Sequence, residues 1–123
     1  MKVLLVATRM DALGGGAATA ARQVAAGLQR QGVDVVTVGT RREPGLVVDE
    51  QDGIRRYTFR PRNLYWIGDK DTKPTYQKAG FQLLDLWNPH VYRVIRAIIE
   101  CERPDIVHVH KLRGLSPSVW AAA

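Results

Sequence analysis

Lys2-Val-Leu-Leu-Val-Ala-Thr8, Gly14-Gly15-Gly16, the alanine-rich run Ala17–Gln31 and Val33-Asp-Val-Val-Thr-Val-Gly39 follow one another at the start of the chain. The first run is almost continuously apolar, as expected of a strand covered on both faces rather than one. Arg9–Gly16 reads as a glycine-rich loop. Across Ala17–Gln31, Ala17, Ala20, Ala21, Val24, Ala25 and Leu28 recur at helical spacing, with Arg22, Gln23, Gln29 and Arg30 opposite. Alanines on the inner face let such a helix lie close to a sheet. Gly32 suits the residue just past its end, and Val33–Gly39 is a second strand. Strand, helix and strand make one unit, with parallel strands and a right-handed crossover.

A second stretch, Asp105-Ile-Val-His-Val-His110, reads as a later parallel strand. Leu46–Asp49 and Ile54–Arg60 are short strands flanking a turn at Asp52-Gly53. Arg62–Thr75, polar with Tyr65 and Trp66, reads as a mobile loop. Tyr76–Trp87 and Pro89–Glu102 are helices divided by Asn88-Pro89, where Asn88 caps the second and Pro89 takes its first position. Val91, Ile95, Ile98 and Ile99 form its core stripe, and Arg103-Pro104 ends it. Ser116 and Pro117 suit the N-cap and first turn of a last helix, in which the chain stops at Ala123. The expected fold class is therefore α/β: a Rossmann-like, open, mainly parallel sheet with flanking helices. Residues 1–123 are expected to form one domain, incomplete at its carboxyl-terminal edge. The last strand then lacks a neighbour, and an open sheet edge favours association, including with a second copy of the chain.

Composition narrows the function classes. Hydrophobic residues make up 46% and charged residues 24%, the balance of a folded globular domain. The apolar runs are far shorter than the ~20 residues of a spanning helix. The N-terminal run is followed by Arg9 and Asp11, not by a cleavage site, so a cytoplasmic protein is expected. Cys101 is the single cysteine, which excludes an internal disulfide and a cysteine zinc site; late in a helix among apolar neighbours, it reads as a structural thiol. The net charge is +6 and the pI about 9.9. The basic residues are scattered and accompany no nucleic-acid reader motif, so nucleic acid is not the expected partner. Arg41, Arg42, Arg60 and Arg62 suit an anionic ligand or the inner face of an anionic membrane, although no helix has a clear basic amphipathic face.

The chemistry rests on two places. Glycines at a helix start let a phosphate approach the unpaired N–H groups and the positive dipole end, and Gly15 and Gly16 are best placed. The alternative is a tight turn and nothing more. No Gly-Lys-Ser/Thr ending marks a P-loop. The glycines come too late after the strand for a dinucleotide fingerprint, and no acid ends the second strand, so NAD is disfavoured; Arg41-Arg42 leaves NADP open. His108 and His110 share one strand face, about 7 Å apart along the strand. No third ligand is evident, so no metal site is expected. His108 suits a buried hydrogen-bonding role. His110 lies at the carboxyl end of its strand, where ligands bind in such sheets, and titrates near neutral pH. Asp11 is the one carboxylate well placed near this edge.

Met1-Lys-Val-Leu-Leu-Val with Gly14-Gly15-Gly16, the Leu28…Gly32-Val33-Asp34-Val35 junction, Arg103-Pro-Asp-Ile-Val-His-Val-His110 and Gly114-Leu-Ser-Pro-Ser-Val-Trp120 together resemble the N-terminal domain of family 4 retaining GT-B glycosyltransferases. The resemblance spans essentially the whole chain. It implies that Gly15 and Gly16 lie near the donor diphosphate and that His110 approaches the transferred sugar as the catalytic histidine. It further implies an acceptor-side role for this domain, with Asp11, Lys111 and Arg113 as substrate-binding candidates. The reaction would move a sugar from a nucleotide-diphosphate sugar to a sugar, lipid or small-molecule acceptor, with retention and without a cofactor or essential metal. Most donor contacts would belong to a C-terminal GT-B domain absent from this sequence, so the isolated chain is expected to be inactive. Ala17-Ala18 and Lys111 depart from the family pattern, which often has an acid and an Asn there. The alternative is a non-catalytic Rossmann-like binding or assembly module that self-associates through its open sheet edge.

Overall fold

The computed structural model describes residues 1–9, 15–63, 74–111 and 115–123. In chain order the elements are β1 (Lys2–Ala7), α1 (Gly15–Arg30), β2 (Asp34–Thr40), β3 (Leu46–Gln51), β4 (Ile54–Phe59), α2 (Thr75–Leu86), α3 (Pro89–Glu102), β5 (Ile106–Lys111) and α4 (Ser118–Ala122). They build one five-stranded sheet in the order β3-β4-β2-β1-β5. All neighbours are parallel except β3, which pairs antiparallel with β4. The expected α/β class, with a mainly parallel sheet and flanking helices, is what the chain adopts.

Burial follows the two-sided pattern anticipated for β1. Leu4 and Val6 face a core shared with Val91, Ile95 and Ile98 of α3 and Val119 of α4. Leu5 and Ala7 face the opposite layer, against Ala21 and Ala25 of α1. The buried side of α1 runs through Ala18, Ala21 and Ala25, while Ala17 and Ala20 are exposed. Ala21, Val24, Ala25 and Leu28 face the sheet as expected, and only the first turn differs, with Ala18 inward in place of Ala17 and Ala20, because alanines occupy nearly every face of this helix.

The local signals around the hairpin and α3 hold. Asp52 and Gly53 both adopt positive φ, 55° and 77°, as a two-residue hairpin turn requires. The Asn88 side chain accepts the N–H groups of His90 and Val91, and Pro89 fills the first turn. Arg103 closes α3 in the left-handed conformation at φ 49°, its N–H donating to Ile99 O. At α4 the Ser116 hydroxyl accepts the Ser118 N–H at 3.2 Å, a capping contact, although the helix is counted from Ser118, one residue later than the sequence suggests.

One reading is corrected. Cys101 is exposed rather than a packed thiol. The buried face of α3 runs through Val91, Ile95, Ile98 and Glu102, so residue 101 falls beside it. On α2 only Phe81 and Asp85 are buried, leaving Tyr76, Leu83, Leu86 and Trp87 uncovered. No helix among the described residues is long and apolar enough to cross a membrane. Residues 64–73, most of the expected mobile loop, lie outside the described residues.

The edge of the sheet at the strand N-termini is locked by charge. Glu102 is buried, with its side chain only 2% exposed, and accepts from Tyr57 Oη at 2.5 Å, Arg55 Nη1 at 2.7 Å and Lys2 Nζ at 3.3 Å. Burial alone would raise its pKa, but these donors prevail and hold the carboxyl below its ordinary range. Tyr57 is pushed up, first by burial and then by Glu102. Asp105 accepts the Lys2 backbone N–H at 2.7 Å. A depressed carboxyl pKa contributes stability that is present above the unfolded-state value and is lost as pH falls through the folded one. Glu102→Gln is therefore expected to lower unfolding free energy by about 1–3 kcal/mol in urea melts at neutral pH. The gap between variant and parent should narrow in the acid range where Glu102 protonates; an equal gap at every pH would refute this account.

Candidate functional site

The opposite edge, at the strand C-termini, is where Gly15, Gly16, His110 and Lys111 fall. A helix joining two adjacent parallel strands must run back against them, so the start of α1 lies at this edge. The helix begins at Gly15, two residues earlier than the spacing suggests, so Gly15 and Gly16 sit in its first turn and not in a preceding loop. Their N–H groups, with that of Ala17, are among the four that helix geometry leaves unpaired. Gly16 has no positive φ, and a Cβ there would meet nothing within 4 Å. Neither backbone strain nor crowding demands glycine at 16, although glycine costs about 1 kcal/mol against alanine within a helix. The first turn also carries no acidic side chain to compete for its positive end.

The strand ends are tied to one another by threonines. Thr8 O accepts both the backbone N–H of Thr40 at 3.0 Å and its hydroxyl at 2.5 Å. The Thr8 hydroxyl donates to Lys111 O at 3.1 Å. One residue thus joins the ends of β1, β2 and β5. The sequence offered a hint, a polar β-branched residue ending an apolar run, but strand order was needed to see its partners.

His110 occupies an irregular position. Val6 of β1 pairs with Val109, and the next residue, Ala7, pairs with Lys111. His110 is the extra residue of a β-bulge, a feature that bends a strand and re-aims a side chain. Val107 and Val109 pack toward α3 and α4, so alternation sends His108 to the α1 side, and the His110 ring lies against it. The shared face was expected. The separation was not: the ring centroids are 4.6 Å apart, closer than regular strand spacing gives. His108 is exposed rather than buried. His110 Nε2 is buried and has no hydrogen-bond partner among the described residues. Burial, then the neighbouring His108, lowers the pKa of His110, so a neutral ring is favoured at physiological pH.

Lys111 ends β5 and is exposed. Asp11 and Arg113 lie outside the described residues. No group of three or more His, Cys, Asp or Glu suited to a metal occurs among the described residues. The edge therefore offers unpaired backbone donors at the start of α1, a neutral imidazole with an unused nitrogen, and a strand end fixed by Thr8. Such a set suits a ligand that carries both an anion and hydroxyl groups.

Residues 15–123 match the family model described as a glycosyl transferase 4-like domain. The chain is also 28% identical over 109 residues to an uncharacterized 42.6 kDa protein in the cps region of Klebsiella pneumoniae. The aligned segment is 89% of this chain and 29% of that protein, so the chain spans under a third of the length of the relative it matches. No solved structure matches the chain. With the family match covering nearly its whole length, the chain belongs to the glycosyl transferase 4-like domain family.

Proposed function

We propose that this domain is the acceptor-side half of a retaining glycosyltransferase that draws its sugar from a nucleotide-diphosphate donor. The observation that carries the reading is the glycine start of α1 at the same sheet edge as His110, within a glycosyl transferase 4-like domain. In the transfer, the bond between the anomeric carbon and the diphosphate oxygen breaks. The acceptor hydroxyl oxygen bonds to that carbon and passes its proton to the departing diphosphate oxygen. Negative charge grows on the departing diphosphate, where the N–H groups of Gly15 and Gly16 and the helix dipole stabilise it. His110, neutral and with Nε2 unused, hydrogen-bonds a hydroxyl of the transferred sugar and orients it. No metal enters the scheme. Asp11, Lys111 and Arg113 are assigned to binding the acceptor, and the reaction takes place in the cytoplasm.

A cleft enzyme works by holding donor and acceptor together. This domain supplies one wall, so the isolated 123-residue chain is expected to release no nucleoside diphosphate from any common sugar nucleotide. Measurable release would overturn that part of the proposal. A second reading, self-association, is favoured by β5: it is an edge strand of the sheet, and its Ile106 is 46% exposed. A monomer in light scattering at high micromolar concentration would remove it.

Donor binding is tested by the thermal stability of the chain with UDP-, GDP- and ADP-sugars, beside Gly16→Val and His110→Ala. The space around Gly16 lets the Val variant fold, so its expected effect is loss of the ligand-induced rise in Tm. An equal rise in parent and Gly16→Val would move the diphosphate elsewhere. The imidazole is tested by NMR titration. His110 is expected to titrate below 6.5, and His108→Asn to move its midpoint upward by removing the adjacent charge. The sign for stability follows. A histidine with a depressed folded pKa contributes fully above its unfolded value and loses that contribution as pH falls through the folded midpoint. A His110 midpoint at or above 6.5 would contradict the buried, neutral ring.

A further inference from the structure

The same sheet edge carries a second opening on its other flank. A cleft of about 420 Å3 lies where β4 leaves the sheet, floored by Phe59 and Val94. One side is the segment after β4, which bears Arg60 and Arg62; His90, in the first turn of α3, also lines it.

This wall is built, not loose. The Arg62 backbone N–H donates to His90 Nδ1 at 3.1 Å, and the Asn88 side-chain amide donates to Arg62 O at 2.7 Å. The other end of the Asn88 amide caps α3, so helix start and strap are fixed together. Between the two arginines Pro61 is buried, with φ locked by its ring. In an extended segment, residues two apart share a side, which puts Arg60 and Arg62 on one flank of the strap.

The charges there are unbalanced. Among the described residues no carboxylate lines the cleft. The Arg62 guanidinium makes no ion pair or hydrogen bond among the described residues, and Arg60 spends one N–H on Arg42 O at 2.9 Å. Because His90 Nδ1 accepts, the proton of the neutral ring sits on Nε2, which has no partner among the described residues. Burial, then Arg62 and Arg93, disfavours a second proton on this ring.

We propose that this cleft binds an oxyanion, phosphate or carboxylate, carried by the acceptor, with Arg60 and Arg62 as charge partners and His90 Nε2–H as a further donor. Guanidinium groups match either oxyanion through paired hydrogen bonds. That the ligand is the acceptor rests on the glycosyltransferase reading; the anion cleft stands on its own geometry. Strand β4 is three places from β5 in the sheet, about 14 Å at normal strand spacing. An acceptor reaching from the cleft to His110 is therefore longer than one sugar ring.

The test is titration of the 15N-labelled chain with inorganic phosphate, glycerol phosphate and glucuronate. Saturable shifts are expected at the Gly45, Arg62 and His90 amides with at least one of them. Arg62→Gln, whose side chain holds no bond of the fold, is expected to bind roughly tenfold more weakly, the loss of one charge-assisted contact. Tighter glycerol phosphate assigns a phosphate-bearing acceptor, and tighter glucuronate a uronic-acid one. Silence with all three anions, or shifts confined to the start of α1, would overturn the proposal. Loss of nucleotide-sugar binding would leave these shifts intact, so the two readings fail separately.

Discussion

Strand β1 must be buried on both faces, and most of the domain follows from that demand. Leu4, Leu5 and Val6 are each 0% exposed. Their side chains alternate between layers, so one helix cannot cover them. α1 covers one side with alanines, close and thin, while α3 and α4 cover the other with larger residues. The crossover between the parallel neighbours β1 and β2 runs through α1, which brings the start of that helix to one sheet edge. The location of the candidate site is thus a by-product of packing β1.

The two sheet edges treat charge in opposite ways. At the strand N-termini, Glu102 gathers Tyr57, Arg55 and Lys2 into a satisfied network, and Asp105 engages the Lys2 backbone. That network ties β1, β4 and the end of α3 with little capacity left over. At the strand C-termini the backbone is held by Thr8, Thr40 and Asn88, while His110 Nε2, His90 Nε2 and the Arg62 guanidinium have no partner among the described residues. A buried polar atom without a partner costs about 1–3 kcal/mol. A domain can carry such groups at one end when the other end is fully satisfied.

Elements with strong local rules were legible in the sequence. The Asp52-Gly53 turn, the Asn88-Pro89 cap and the buried β1 each follow from a few neighbouring residues. Failures came where a decision depended on distant contacts. The inner face of α1 was ambiguous because alanine supplies no contrast between faces. Cys101 was misread because its apolar neighbours belong to the adjacent stripe. At the site, His110 could be placed on a strand end, and Gly15 and Gly16 at a helix start. The cleft beside β4 could not be seen, since it joins residues near 45, 60 and 90 that only the sheet order brings together.

The bulge explains why His110 differs chemically from His108 although both lie on one short strand. Without the extra residue, Ala7 would pair with His110 and the two rings would stand a regular two-residue step apart. With it, the rings close to 4.6 Å, His110 Nε2 is buried and His108 remains exposed. A nearby ring that can take up charge then opposes protonation of the buried one. The residue just after the bulge is held from the neighbouring strand, where the Thr8 hydroxyl donates to Lys111 O. The strand end that carries His110 is therefore anchored by a residue 103 positions before Lys111, at the end of the same run that decides the fold.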